Sequence, residues 1–435
     1  MKISIRLLPL LASGALFVCC SPVAFAKPTS TVKKETLESL TQRALDNNPE
    51  LELYSAEIAA AKGQYISAGT WSNPQLSSNF GNKRISGDGP ATNGFAFGVS
   101  IMQTFEWPGR IELREAIARK QILSAESSLS QFKSELARKT RNSGFKLMIA
   151  QESVRAAAEV SKTLKSLREV LSQRDPAGVT PLIEIRILEA TELMTERKIA
   201  EAQLAAQGAL FDINQMLGES SAHEIRMQDE RLDFKKLPDV QTLIRASQDN
   251  NFDVKSKELD AQQQSLQVSL EENNRHPAVA VGPYVTREAS GDREVQVGLG
   301  ITLPLQLWDN NTGNIVTARA KAQKAEHGLR LAQKSSERDV LQNALVYQQK
   351  LEQINKWRGE SFSQFEKANQ LADEHYRNGA VPVATYVELK KQYLDALQAY
   401  SESQIDALEA AQNLERLTGL QLSSSSVVSS TKSKR

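Results

Sequence analysis

The feature that most constrains this chain is that it repeats itself. Asp46-Asn47-Asn48-Pro49-Glu50-Leu51 is echoed by Asp249-Asn250-Asn251-Phe252-Asp253-Val254, 203 residues later, and Pro74 by Pro277 at the same offset. Gly178 with Pro181 returns as Gly379 with Pro382, and Gly218 as Gly419, at an offset of 201. Landmarks at nearly one offset describe two copies of one unit, spanning 27–230 and 231–422, rather than two unrelated domains.

Each copy carries the same sequence of patterns. A helical stretch, about 33–70 and again about 239–274, should stop before Pro74 and Pro277, because proline disfavours helix in the residue preceding it. Strand pairs follow, at about 75–104 and about 277–304. Val279, Val281 and Val285, then Val295, Val297, Leu299, Ile301 and Leu303, fall on alternate positions among small or polar residues. Phe95, Phe97, Val99 and Ile101 do the same in the first copy, with Leu76 and Phe80 the outward residues of its weaker strand. Turn-forming segments, Gly87-Asp88-Gly89-Pro90 and Ser290-Gly291-Asp292, separate the partners. An ordinary half-buried hairpin fits each pair taken singly. A run of about ten residues is also what a tilted strand needs to cross a bilayer.

Very long helical stretches come next, about 110–174 and about 313–377, neither holding a proline. At about 1.5 Å per residue each would reach about 95 Å. They turn at tips 175–181 and 377–382, resume from Pro181 and Pro382, and end near Gly218 and Gly419, where glycine suits a helix C-cap. Val340, Ala344, Tyr347, Leu351 and Ile354 trace a heptad seam, so each copy should form a long helical hairpin.

The N-terminus reads as a signal peptide, residues 1–26. Lys2 and Arg6 precede an apolar run from Leu7 to Val18, and Ala24-Phe25-Ala26 offers a cleavage site after Ala26. The two cysteines, Cys19 and Cys20, lie inside it, so cleavage leaves a mature chain without a thiol; lipidation at one of them is the rival reading. A net charge of +1 excludes a basic nucleic-acid footprint. His223, His276, His327 and His375 are scattered without metal-site spacing, and no nucleophile elbow or phosphate loop appears. Neither an enzyme, a cofactor nor a bound metal is expected. The Ser/Lys-rich residues 423–435 should form a disordered tail.

Four strands cannot close a barrel, and open sheet edges are not tolerated in lipid. If these strands enter a membrane, several chains must share one barrel, and dimers satisfy that condition as well as trimers. The repeat, the Asn-Asn-Pro-Glu-Leu and Asn73-Pro74-Gln75-Leu76 segments, the run Gln103-x-x-Glu106-Trp107-Pro108-Gly109-Arg110 and the glycine-bearing tips resemble the TolC-type outer-membrane efflux channels over nearly the whole mature chain. The run from Gln103 to Arg110 most resembles the CzcC-type group, associated with heavy-metal efflux.

That resemblance implies a mixed, mostly α fold. Four membrane β-strands per chain would join a shared trimeric barrel of twelve strands in the outer membrane, continued by a long α-helical barrel in the periplasm. It implies a homotrimer working with a periplasmic adaptor protein and an inner-membrane pump of the RND type. The function implied is the channel of a tripartite efflux system, exporting heavy-metal cations or, alternatively, organic drugs or other small molecules. The alternative of another class is a secreted coiled-coil structural or adhesin protein whose sheet buries its apolar face. By resemblance the tips, with Gly178, Val179, Gly379 and Val381, dock the adaptor; as plain helix turns they need only their glycines. Family channels carry acidic residues six and nine positions after the second tip glycine. Here those positions hold Thr385 and Glu388, and six after Gly178 stands Glu184. Glu184 and Glu388 are thus the candidates for a periplasmic constriction; exposed helix carboxylates are the plainer reading.

Overall fold

A computed structural model describes residues 34–87, 91–172, 179–221, 223–290, 292–357, 362–378 and 380–427. Ala26, the expected cleavage position, lies outside the described residues, as do Gly178 and Gly379. One element order runs through each half of the chain: two short helices, two strands, then long helices that go out and return.

The first stretch of each half is not one helix, as the sequence suggested, but two. Helices α1 (Leu37–Asn47) and α2 (Glu50–Ala68) break at Asn48, and α5 (Val240–Asn250) and α6 (Phe252–Asn273) break at Asn251. Both asparagines are extended and buried, and each makes the break good with its side chain. Asn48 Oδ1 accepts from the Glu50 amide at 2.9 Å while Nδ2 donates to the Met216 carbonyl at 2.8 Å. Asn251 Oδ1 accepts from the Asp253 amide at 2.9 Å. The repeated Asn-Asn motif is therefore a helix break that caps the following helix. Each break also meets the end of a returning helix. Gly218, at φ +66°, sits against Pro49, and Gly419, at φ +69°, against Asn250; added Cβ atoms there would meet neighbours at 3.0 and 2.9 Å. Only glycine satisfies both the left-handed backbone and the close approach.

Strands β2 (Gln75–Ile85), β3 (Thr92–Phe105), β6 (Val279–Ser290) and β7 (Asp292–Thr302) form one antiparallel sheet in that order. Helix α3 (Arg110–Ser172) runs 63 residues and returns as α4 (Val179–Leu217). In the second half the described parts of the outgoing stretch are α7 (Thr312–Lys356) and α8 (Phe362–Arg377), and α9 (Val383–Thr418) returns. In the seam Val340, Ala344, Tyr347 and Ile354 are buried and Leu351 half-buried, and all but Ile354 join a core with Leu243 of α5 and with Ala411 and Leu414 of α9. No described helix is long and apolar enough to cross a membrane.

The expected disordered tail begins too early at 423. Ser423–Val427 form β8, which pairs antiparallel with β5 (Glu230–Phe234). The Glu415 carboxylate accepts from the Leu422 and Ser423 amides, both at 2.7 Å, and fixes the strand's entry. A serine run looks shapeless in sequence, but a ladder of backbone bonds needs no particular side chain. Short strands β1 (Lys34–Glu35) and β4 (Arg226–Met227) pair in parallel. Around these strands and α1, the cores of α3, α4 and α9 converge on Phe145, Ile213 and Leu408, all fully buried.

Candidate functional site

The sheet separates two chemistries by register alone. One row across all four strands reads Ser78, Val99, Val285, Val297; the adjacent row reads Asn79, Gly98, Thr286, Gln296. Because side chains alternate faces, the apolar strand residues from Leu76 to Ile301 singled out in the sequence fall on one side, while Leu303 lies just beyond β7. Phe80, Val297, Leu299 and Ile301 are 71 to 76% exposed on that side, so nothing in the described chain covers it. A soluble sheet of this composition would bury that face. The opposite face is small and polar, and it carries an ion pair of Lys83 with Glu288, with Glu294 at 3.7 Å from Lys83. The outer edges of β2 and β7 have no strand partner among the described residues.

Where strands become helices, the run from Gln103 to Arg110 works as a joint. Gln103 Nε2 donates to the Ser72 carbonyl at 2.9 Å. Glu106 pairs with Arg114 at 3.0 Å. Trp107 stacks on His276 with ring centres 4.4 Å apart, and Gly109 turns the chain at φ +83°. Arg110 reaches into the other half, donating to Asn273 Oδ1 at 3.0 Å and to the His276 carbonyl at 2.6 Å. Sequence reading missed a second feature of this level. Trp71, Phe105, Trp107, Leu305, Leu307 and Trp308 are all exposed where the sheet gives way to helices, Trp308 at 95%. Amphipathic aromatic rings of this kind favour the edge of a membrane.

At the far end, Val179 opens α4, with its side chain outside the described residues. Val381, expected as an exposed tip residue, is instead half-buried against the core holding Leu188, Val383 and Tyr386. Among the described residues, exposed apolar surface beside the first tip comes from Leu182 and Ile183, 56% and 54% exposed, which sequence reading passed over. Glu184 and Glu388 each stand five residues after the first residue of a return helix. Glu184 is half-buried and has no ion-pair partner among the described residues, while exposed Glu388 accepts from Gln392 Nε2 at 3.1 Å.

Close by, the α8–α9 hairpin hides a charge cluster. Lys390, 3% exposed, lies 2.8 Å from Asp373, donates to Asn369 Oδ1 at 2.7 Å, and sits over the Tyr386 ring. The Tyr386 hydroxyl donates to Asp373 at 2.6 Å; burial, then this contact with a carboxylate, raises its pKa far above the ordinary tyrosine value. In the α3–α4 hairpin the buried Glu192 pairs with Arg168 at 3.0 Å. Among the described residues no cluster of His, Cys, Asp and Glu could hold a metal ion.

Comparison with known proteins adds a family match. The model of the family described as "Outer membrane efflux protein" matches residues 40–219 and 243–420, one segment in each half. The cobalt-zinc-cadmium resistance protein CzcC of Cupriavidus metallidurans is 23% identical over 292 residues, covering 67% of this chain and 68% of that protein. Among solved structures, the Campylobacter jejuni CmeC outer membrane channel superposes with a TM-score of 0.69 at 15% identity, over 88% of this chain and 85% of that one. The open state of the Neisseria gonorrhoeae MtrE outer membrane channel gives 0.69 at 16% identity, over 88% of each chain.

Proposed function

The chain belongs to the outer membrane efflux protein family, and on that premise we propose that it is the outer-membrane channel of a tripartite efflux system. The observation that carries this reading is the apolar sheet face, uncovered and open at both edges. Three chains would supply twelve strands, pairing β7 of one with β2 of the next, so that lipid covers the face and no edge remains. The long helices would continue the barrel into the periplasm as a tube. There the tips would meet a periplasmic adaptor and, through it, an inner-membrane pump of the RND type. Such a conduit acts by shape and field, without catalysis.

Heavy-metal cations are the proposed cargo. Supporting this are the similarity to a cobalt-zinc-cadmium resistance protein and the placing of Glu184 and Glu388, which in three copies would ring the tube with carboxylates and favour cations. Deletion of the chain from its own host tests the cargo. Growth should become sensitive to divalent cobalt, zinc or cadmium and be restored by the intact gene. Sensitivity to organic drugs with unchanged metal tolerance would assign the channel to other cargo.

A further inference from the structure

Between α3 and α9, where α9 ends at Gly419, lies a cleft of about 240 Å3 that the channel reading leaves without a role. Arg138, Arg141 and Arg416 line it, together with Glu135, Gln412 and Glu415. Most of these charges are already engaged. Arg138 grips Glu135 through two nitrogens, at 3.0 and 2.5 Å. Glu415 is held by the Leu422 and Ser423 amides, and Arg416 approaches Asp253 at 3.5 Å on the exposed rim.

Two groups remain unengaged. Arg141 is half-buried and has no ion pair or hydrogen bond among the described residues. Gln412 is 1% exposed, and both its amide nitrogen and its amide oxygen are buried without a partner. A buried amide left unpaired at both ends costs stability, because water is lost and nothing replaces it. Leucine in its place would avoid that cost. Neither residue belongs to the stripes that pack on α1 and α5, which run through Leu136, Thr140 and Gly144 on α3 and through Ala410, Leu414 and Leu417 on α9.

We infer that this cleft binds a small oxyanion that also carries a hydroxyl group, of which hydrogen phosphate is the smallest. The guanidinium fork of Arg141 matches two oxygens of such an anion, and Gln412 Nε2 donates to a third. Gln412 Oε1 can only accept, so the ligand must bring a proton of its own. Sulfate has the same shape and charge at neutral pH but no hydroxyl, and it would leave Oε1 unpaired. Whatever cargo passes through the channel, this site asks only for the wall between α3 and α9.

Isothermal titration of the detergent-solubilised full chain, at ionic strength held constant with chloride, provides the test. Inorganic phosphate should bind saturably at one site per chain, and sulfate at least tenfold more weakly. Arg141→Gln should weaken phosphate tenfold or more, whereas Arg141→Lys, keeping the charge without the fork, should keep part of the affinity. Gln412→Leu removes the orphaned amide in nearly the same volume; it should melt no lower than the unaltered chain and still lose phosphate binding. That variant decides the matter if Arg141→Gln fails to fold. Absence of saturable phosphate binding, sulfate bound as tightly as phosphate, or full phosphate binding by Gln412→Leu would each overturn the assignment.

Discussion

Gln296 and Val297 are neighbours in the chain and opposites in the sheet. Val297 stands in the apolar row with Val99 and Val285, Gln296 in the polar row with Gly98 and Thr286. If the apolar row meets lipid, Val297→Arg should cost about 2–4 kcal/mol at mid-bilayer depth and sharply reduce assembled protein in outer-membrane fractions. Gln296→Arg should assemble nearly as the unaltered chain does; equal yields from the two would contradict the facing. Charge can be read in the same manner at the tip end. Planar-bilayer conductance of Glu184→Gln with Glu388→Gln should show a weaker preference for cations and weaker block by divalent ions. Unchanged selectivity would mean that other residues form the constriction. These carboxylates were reachable from the sequence through resemblance, whereas Lys390 was not. A lysine in a long helix reads as solvated, yet Lys390 continues the apolar stripe of Val383, Tyr386 and Val387 toward Leu394. That misfit in periodicity was the available signal, and Asp373 and Asn369, its partners on α8, became visible only in the packed hairpin.

At the scale of elements, the strands were legible because a period of two survives any tertiary context that keeps one face apolar. The helix breaks were harder. Asn48 precedes a proline, but Asn251 precedes Phe252, and what ends α5 there is a side chain that caps α6 and reaches Ser336 on α7 at 2.8 Å. Strand β8 depends on a partner nearly two hundred residues away and on the Glu415 carboxylate, neither of which a serine run announces. The tips illustrate the same limit. Apolar composition at the second tip suggested an exposed docking patch, but Val381 packs inward, so Val381→Glu should lower the melting temperature of the hairpin before it affects any partner. Charged replacements at Leu182 and Ile183, which are exposed, should leave melting unchanged and abolish adaptor cross-linking. Intact cross-linking in a Leu182→Glu, Ile183→Glu double variant would move the docking surface elsewhere.

For the whole molecule, the question is what completes an open sheet. The halves are latched by Arg110 on Asn273 and His276 and by α3 lying along both α6 and α9, and among the described residues the membrane-type sheet holds four strands, too few to close a barrel alone. An exposed aromatic and leucine level, with Trp71, Trp107 and Trp308, marks where sheet gives way to helix, and it would coincide with the inner edge of the outer membrane. Copy number follows from resemblance rather than from the single chain, because closure alone allows two chains or three. Native mass spectrometry of the protein, extracted from outer-membrane fractions in mild detergent, measures it directly. A single species of three chains is expected, whereas a stable monomer or dimer from the same fractions would contradict the shared twelve-stranded barrel.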